Sequence, residues 1–271
     1  MDPKRDDTDV RGTTGFRPRI SCLMGTYGRY ALACEALACF LAQTVEDAEL
    51  VILNQHPTPL RFDHPRVRVV NEPVSGSLRH IRKRMHELAD PGAELIHWWD
   101  DDDLFLPWHL EDGLRHMGRS VAWKPLASWF CERFVRFELQ RNRFESSWMF
   151  RADYLAAAPL DTHPSYSDHP VIRQTMDGGR LATTDLGGET SYIYRWATGT
   201  AHLSGRSSGD EARQQQNVDA WRNRSNDVRE DGVLVPADLT LRWTQFLEGT
   251  RHLTTPEEHQ RNEARLFGRS R

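Results

Sequence analysis

The sequence predicts an α/β fold in which a mainly parallel sheet is flanked by helices, with a helical extension at the C-terminus. Two observations support this fold class. Short apolar segments alternate with segments of helical periodicity, and the apolar segments end in loops rich in glycine or polar residues. Strands and helices that alternate in this way form right-handed βαβ units, whose parallel sheet binds ligands beyond the carboxyl ends of its strands.

The first strand and helix show this alternation clearly. Residues 19–24 are mostly apolar and end at the loop Gly25-Thr26-Tyr27-Gly28, and residues 30–43 carry apolar side chains at helical spacing. Further elements are expected at 49–53 (strand), 67–70 (strand), 78–89 (helix) and 95–99 (strand).

Composition is typical of a soluble globular protein with a sizeable core. The chain has 271 residues, of which 38% are hydrophobic and 27% charged, and its formal net charge is -4. This charge argues against a general nucleic-acid coat, which needs a basic excess. No apolar run has the length of a membrane helix and the N-terminus has no apolar signal-peptide centre, so we expect a cytoplasmic protein. Four cysteines without a CxxC pair are expected to be reduced core residues: Cys22, Cys34, Cys39 and Cys131.

The second half of the chain is less regular. Residues 123–150 are rich in aromatic side chains, which indicates core strands or, alternatively, a pocket for the flat face of a sugar. Residues 205–231 are rich in Ser, Gly, Arg and Gln and predict a mobile connection, and residues 234–267 predict a loosely amphipathic helical tail.

Four consecutive aspartates, Asp100 to Asp103, follow the apolar segment Leu-Ile-His-Trp-Trp. Neighbouring carboxylates repel each other by about a kcal/mol or more near a surface, so a divalent cation would explain the cluster. Oxygen ligands favour Mg²⁺ or Mn²⁺, and alternate residues such as Asp100 and Asp102 can point to the same side. The alternative is a solvated acidic loop in which Asp103 caps a helix near Pro107.

Three segments, in this order, resemble the family 2 glycosyltransferases of the GT-A fold. Ile-Ser-Cys-Leu-Met-Gly-Thr-Tyr-Gly-Arg at 20–29 is similar to the family's opening strand and Pro-Thr-Tyr-Asn-Arg loop. Residues 41–53 resemble its L-x-Q-T helix end and second strand, and Trp-Trp-Asp-Asp-Asp-Asp-Leu-Phe-Leu-Pro at 98–107 resembles its DxD segment. The resemblance covers residues 20–114 well and continues more weakly to His202.

The resemblance, together with the composition of the two ends of the chain, predicts three parts. A mobile leader at 1–17 precedes a GT-A domain at 18–204, and 205–271 form a partly flexible linker and a C-terminal helical extension. Within the GT-A domain, residues 18–115 would bind the nucleotide sugar and residues 116–204 the acceptor.

The activity implied is an inverting transfer of a sugar from a nucleoside-diphosphate sugar to a hydroxyl acceptor, assisted by Mn²⁺ or Mg²⁺. Asp102, helped by Asp100, would hold the cation that stabilises the departing diphosphate. For Arg82 a solvated position on a helix face is an equal alternative. Residues expected at the donor nucleotide are Thr26, Tyr27, Arg29, Asn54, Arg82, Asp100 and Asp101.

One departure from the family concerns the base of the nucleotide. The family commonly ends its second strand with an acidic pair that binds uracil, whereas this chain has Asn54-Gln55. An amide both donates and accepts hydrogen bonds. A UDP-sugar is therefore the favoured donor, with thymidine and guanosine carriers left open.

The resemblance also places residues of the acceptor half. Asp168 is the candidate catalytic base for the acceptor hydroxyl, or else the N-cap of a helix at 170–176, and Asp161 is the substitute base. His202 is a candidate for another metal or phosphate contact, or else a structural histidine.

The same sequence argues against two other enzyme classes and leaves a non-catalytic function open. A processive synthase is disfavoured because Tyr192 stands where its Gln-x-x-Arg-Trp motif has Gln and because membrane spans are lacking. A sugar nucleotidyltransferase needs a longer opening loop ending in Lys than residues 25–29 provide. Asn54 and Gln55 keep open a non-catalytic module that binds nucleotide sugars. The sequence leaves the acceptor and the oligomeric state open.

Overall fold

The computed structural model of the chain describes residues 19–73, 78–141, 147–157, 175, 181–183, 190–196 and 229–268. The predicted leader and most of the predicted connection at 205–231 lie outside these residues, as do Asp161, Asp168 and His202. No helix in the described ranges is both long and apolar enough to cross a lipid bilayer.

The main sheet has seven strands and positions the candidate site. The seven strands are β1 (Ile20–Thr26), β2 (Ala48–Asn54), β3 (Val67–Asn71), β4 (Leu95–Trp98), β6 (Ala122–Lys124), β9 (Met149–Arg151) and β10 (Leu181–Thr183). The order across the sheet is β10-β6-β9-β4-β1-β2-β3. The strands β1, β2, β3 and β4 are mutually parallel where they pair, while β9 runs antiparallel to β4 and β6. The predicted α/β fold with a mainly parallel sheet is confirmed.

A second sheet, which the sequence does not predict, has four strands. They are β5 (Leu104–Phe105), β7 (Ala127–Glu132), β8 (Arg136–Arg141) and β11 (Tyr192–Trp196). Their order is β5-β11-β7-β8, and β11 is antiparallel to β5 and parallel to β7. The aromatic segment 123–150 supplies strands to both sheets, with buried side chains at Trp123, Trp129 and Phe150, which supports the core-strand interpretation.

Helices follow the strands of the first half and complete the C-terminus. They are α1 (Tyr30–Leu41), α2 (Leu78–Leu88), α3 (His109–Met117), α4 (Ala152–Ala156), α5 (Thr240–Thr250) and α6 (Pro256–Phe267). Helix α6 begins with a capping box in which Thr255 and Glu258 bond each other's backbone amides. The predicted helical tail is therefore present as two helices.

Both faces of the main sheet are buried. Side chains of a strand alternate between faces, and in β1 Cys22 and Met24 enter one apolar cluster while Leu23 enters the other. Strands covered on both sides read as continuous apolar runs, as β1 and β2 do. Phe246 of α5 belongs to the same cluster as Cys22, so α5 packs against the core on this side of the main sheet.

The cysteines behave as the sequence predicts. All four are buried, and none of them forms a disulfide bond. Burial raises the pKa of the Cys39 thiol to about 12 and that of Cys131 to about 11, which keeps these thiols protonated and unreactive at neutral pH.

Candidate active site

Three loops meet at the carboxyl edge of the main sheet. The central strand β1 lies between β2 and β4, with Thr26 opposite Asn54 and Leu23 opposite Trp98. The backbone N–H of Gln55 donates to the Thr26 backbone carbonyl over 3.1 Å, and this bond joins the first two loops. Parallel strands end at the same edge, so the loops after β1, β2 and β4 form one crevice.

The four aspartates after β4 alternate between partial exposure and burial. The side chains of Asp100 and Asp102 are 34% and 16% exposed, whereas that of Asp101 is 1% exposed and Asp103 is buried. Asp100 and Asp102 therefore face the same side. Asp100, Asp102 and Asp103 each offer a carboxylate oxygen, and these oxygens lie within 4.8 Å of one another.

Two arginines neutralise much of this charge. Arg29 donates from Nη1 to Asp102 over 2.8 Å and from Nε to Asp101 over 3.1 Å, and a second bond from its Nη2 also reaches Asp101. Arg82 donates to Asp100 over 2.8 Å and lies over the Trp98 ring at 5.4 Å. The sequence analysis offered a divalent cation or a solvated acidic loop as the explanation of the four aspartates, and the structure adds arginines that pair with three of the four carboxylates. It also places Arg82 at the site rather than on a solvated helix face.

The environment of Asp101 is a buried ion pair. Burial raises the pKa of Asp101 to about 7, against the opposing charge of Arg29, and the Thr26 side chain favours the ionised carboxylate. The pKa of Arg29 is raised in turn, because Asp101 and Asp102 outweigh the effect of its burial. Since Arg29 bonds both oxygens of Asp101, this residue acts as an anchor for Arg29.

Asp103 is held by β11 and does not cap a helix. Its carboxylate accepts hydrogen bonds from the Tyr192 hydroxyl and, over 3.0 Å, from the Arg195 backbone amide. Burial, followed by the charges of Asp102 and Asp100, raises the pKa of Asp103 to about 8. Helix α3 begins at His109 without a side-chain cap, so the capping interpretation is wrong.

Tyr27 and Asn54 line the loops after β1 and β2 in different ways. The Tyr27 ring is partly exposed and meets the His56 ring edge-on at 5.2 Å. Asn54 is completely buried, and its amide donates to the Thr58 carbonyl over 2.9 Å and to Asn71 Oδ1 over 2.8 Å. The side chain of Asn54 thus holds its own loop together.

Gln55 is a candidate that the sequence analysis named only as part of a departure from the family. Its side chain is buried, and its Oε1 atom has no hydrogen-bond partner among the described residues. A buried acceptor without a partner is costly, so a ligand donor at this position would be favourable.

A pair of histidines lies behind the acidic run. His97 of β4 and His109 of α3 share a hydrogen bond of 2.8 Å between their Nε2 atoms, and His109 Nδ1 lies 2.9 Å from the Ser191 hydroxyl. Burial lowers the pKa of His97 to about 3 and that of His109 well below its usual value. Both imidazoles are therefore neutral, and they connect the main sheet to the start of β11.

The catalytic base and the third metal contact stay predictions. Asp168, its substitute Asp161, and His202 lie outside the described residues, as does most of the segment between α4 and β11.

Comparison with known proteins points to one fold. No model of a known protein family matches the chain. The structure of S. aureus TarS 1-349 in complex with UDP aligns with a TM-score of 0.51 and 14% identity, covering 91% of this chain and 85% of that chain. The protein has a GT-A fold.

One protein matched by sequence and one further solved structure carry glycosyltransferase names. The uncharacterized glycosyltransferase YwdF of Bacillus subtilis (strain 168) is 27% identical over 96 residues, which are 34% of this GT-A chain and 36% of that protein. The match therefore spans about a third of the relative's length. Mannosyltransferase PcManGT from Pyrobaculum calidifontis, solved with GDP-Man and Mn²⁺, aligns with a TM-score of 0.49 and 15% identity, covering 93% of this chain and 74% of that chain.

Proposed function

We propose that this protein is a cytoplasmic, family 2 glycosyltransferase that moves a sugar, with inversion, from a nucleoside-diphosphate sugar to a hydroxyl acceptor. The single observation that carries the proposal is the group of carboxylate oxygens from Asp100, Asp102 and Asp103, which lie within 4.8 Å at the carboxyl edge of the sheet. The glycosyltransferase name of a sequence relative and the GT-A fold support the same conclusion.

The carboxylates fit a divalent cation of the Mg²⁺ or Mn²⁺ class. Their donor set consists of oxygen alone, which suits hard cations. Asp102 and Asp100, which are partly exposed, would hold the ion, with the buried Asp103 behind them. His202 would add a contact to the metal or to a phosphate. A bound cation supplies stabilisation of the charge that develops on the diphosphate leaving group.

Arg29 and Arg82, which pair with the aspartates, would also bind the diphosphate. Arg29 and Arg82 lie against the partly exposed carboxylates, so a diphosphate brought to Asp100 and Asp102 would reach both guanidinium groups. Guanidinium groups match phosphate oxygens with two parallel hydrogen bonds. Before the donor binds, the same arginines keep the carboxylates in position and limit their repulsion.

A UDP-sugar is the proposed donor. TarS, the GT-A neighbour, is solved with UDP. Thr26 and the partly exposed Tyr27 ring would contact the nucleoside at the end of β1. Asn54, whose amide is taken up by its own loop, would shape the nucleoside site, and the Gln55 side chain would offer the acceptor for a base N–H.

Inversion requires a base on the acceptor side. Asp168, with Asp161 as the substitute, is proposed to take the proton of the acceptor hydroxyl as the sugar is transferred.

A second candidate is a module that binds nucleotide sugars without turnover. The observation that favours it is the compensation of the acidic run by Arg29 and Arg82, which gives the cluster a purely structural explanation. Release of UDP from a UDP-sugar in the presence of metal distinguishes the two, because the module would bind the donor and leave it intact.

The test is a thermal-shift series with UDP, GDP and dTDP, each with and without MnCl₂. We expect UDP to raise Tm only when Mn²⁺ is present, and Asp102→Asn to abolish that increase. The matched control is Asp153→Asn, because Asp153 is exposed and follows β9 next to the amino-terminal end of β4, away from the crevice. A Tm that no nucleotide changes, with or without metal, would contradict the proposal.

A further inference from the structure

Arg195 of β11 contacts the acidic run twice. Its backbone amide donates to Asp103 Oδ1 over 3.0 Å, and its Nε donates to the backbone carbonyl of Asp102. The Arg195 side chain is 1% exposed, so these bonds form away from water. They fix the peptide unit between Asp102 and Asp103 from both sides.

Fixing that peptide restricts the directions in which the Asp102 carboxylate can point. The Cα–Cβ direction follows from the backbone dihedrals, which a bonded carbonyl and a bonded neighbouring side chain restrict. A hydrogen bond from a charged guanidinium to a carbonyl is stronger than one between neutral groups. Arg195, whose side chain is buried, therefore supports the orientation of Asp102 from within the protein.

Glu35 of α1 holds Arg195 and links it to the C-terminal extension. Its carboxylate accepts from Arg195 Nη1 and, over 2.7 Å, from Nε of Arg242 in α5. The Glu35 side chain is 12% exposed. Burial acts to raise the pKa of Glu35, but the two arginines outweigh it and the pKa is lowered, so Glu35 is ionised. Three charged groups thus run from α5 to the acidic run.

A tight turn covers this chain of charges. Arg133 and Phe134, between β7 and β8, have φ values of 53° and 56°, a left-handed conformation that residues other than glycine adopt rarely. The turn places the Phe134 ring 4.3 Å from the Arg242 guanidinium and 5.9 Å from that of Arg195. The ring faces both cations, which favours their positions through cation–π attraction.

We propose that Arg195, Glu35 and Arg242 form a positioning relay through which helix α5 orients the Asp102 carboxylate for the cation and diphosphate. The relay assigns a role to the C-terminal extension, and it rests on the proposed function of the acidic run. All three are positioning residues. Replacing any of the three should reduce the free energy of metal-dependent nucleotide binding more than it reduces the free energy of unfolding.

The first test replaces Arg242 by Met, which keeps an unbranched apolar stem for Phe134 and removes the donor to Glu35. Isothermal titration of UDP in MnCl₂ should show binding weakened about tenfold, the lower end of the range for partners that orient metal ligands. Arg242→Lys, which keeps a charge for Glu35, should recover most of the affinity. The control is Arg115→Gln, because Arg115 pairs with Glu111 over 2.8 Å on the exposed face of α3 and should leave binding unchanged.

Hydrogen exchange gives a readout that needs no ligand. Arg242→Met should speed exchange in peptides covering residues 100–104 while leaving β2 unchanged, and Arg115→Gln should change neither region. Glu35→Gln, which removes the charge that both arginines share, should have the larger effect on exchange and on UDP binding.

The outcomes separate the relay from the proposed function. Faster exchange at 100–104 together with weaker UDP binding supports both. If the wild-type protein binds no nucleotide with metal, the proposed function fails, and with it the relay's role, even where exchange shows the mechanical link. If the wild-type protein binds UDP, and Arg242→Met and Glu35→Gln lower Tm but bind UDP as tightly, the relay is overturned and the proposed function stands.

Discussion

Acidification is expected to destabilise the protein through His97 and His109. Both imidazoles are completely buried, and burial lowers the pKa of His97 to about 3 and that of His109 well below 6.5. In the unfolded chain a histidine titrates near 6.5. Below about pH 6.5 the unfolded chain therefore binds two protons that the folded protein does not, and the free energy of unfolding falls. The contribution is fully present above that pH.

The magnitude follows from proton linkage. Each histidine contributes at most about 1.4 kcal/mol per pH unit, a slope that is reached only once its unfolded form is fully protonated. Because that form is half protonated at pH 6.5, the pair would cost about 2 kcal/mol between pH 6.5 and 5.5. Asp101 and Asp103 act in the opposite direction, because their pKa values in the folded protein are raised to about 7 and about 8. As the pH falls, the folded protein binds these two protons before the unfolded chain does, and this raises the free energy of unfolding. The contribution of the two histidines to the free energy of unfolding must therefore be measured as a difference between the wild type and a variant without these histidines.

The assay is urea unfolding at pH 7.5, 6.5 and 5.5 for the wild type and the double variant His97→Gln/His109→Gln. Glutamine amides keep hydrogen-bonding groups in place and do not titrate. Between pH 6.5 and 5.5 the wild type should lose about 2 kcal/mol more than the double variant, and His109→Gln alone should remove about half of this difference. Parallel pH profiles for the three proteins would show that His97 and His109 do not take up protons on unfolding.

Two further substitutions test a packing contact of α5 and a hydrogen bond of the acidic run. Gly249→Ala lies in helix α5, where alanine usually adds about 1 kcal/mol, but a Cβ at this position would lie 2.6 Å from Phe137 Cε2, so we expect a loss of about 1–3 kcal/mol in urea unfolding. A gain in stability would show that the Phe137 ring moves aside freely. Tyr192→Phe removes the hydroxyl that donates to the buried Asp103 and should cost about 1–3 kcal/mol, and an unchanged midpoint would mean that this hydrogen bond contributes nothing.

The first half of the fold could be predicted because its information is local. Strands β1 and β2 are continuous apolar runs, and each was predicted within two residues of its bounds at either end. Helix α1 follows from apolar spacing over a dozen residues. The arrangement of these elements then follows from the handedness and order of βαβ units.

The second sheet depends on contacts that no local pattern reveals. Strand β5 has two residues, and it pairs Leu104 with Ile193, far along the chain. A strand this short has no measurable periodicity, and its register is set by the partner strand. The sequence showed only that the aromatic segment was apolar enough to be buried.

The candidate site could be predicted in its charges and only partly in its partners. The run from Asp100 to Asp103 stands out in any sequence because like charges in succession need compensation. Its compensation by Arg29 comes from the start of α1, more than 70 residues away, and could not be read from the run itself. The bond between Asn54 and Asn71 is equally remote, since it requires β2 and β3 to lie side by side.

The carboxylates after β4 are proposed to hold a cation that carries the donor diphosphate. Crystals grown with MnCl₂ and UDP, with data collected at the manganese absorption edge, test it directly. We predict an anomalous peak within about 2.5 Å of oxygens of Asp102 and Asp100, bridged to the diphosphate, and no such peak in Asp102→Asn. Bound UDP without a peak at these carboxylates, or a peak that persists in Asp102→Asn, would contradict the account.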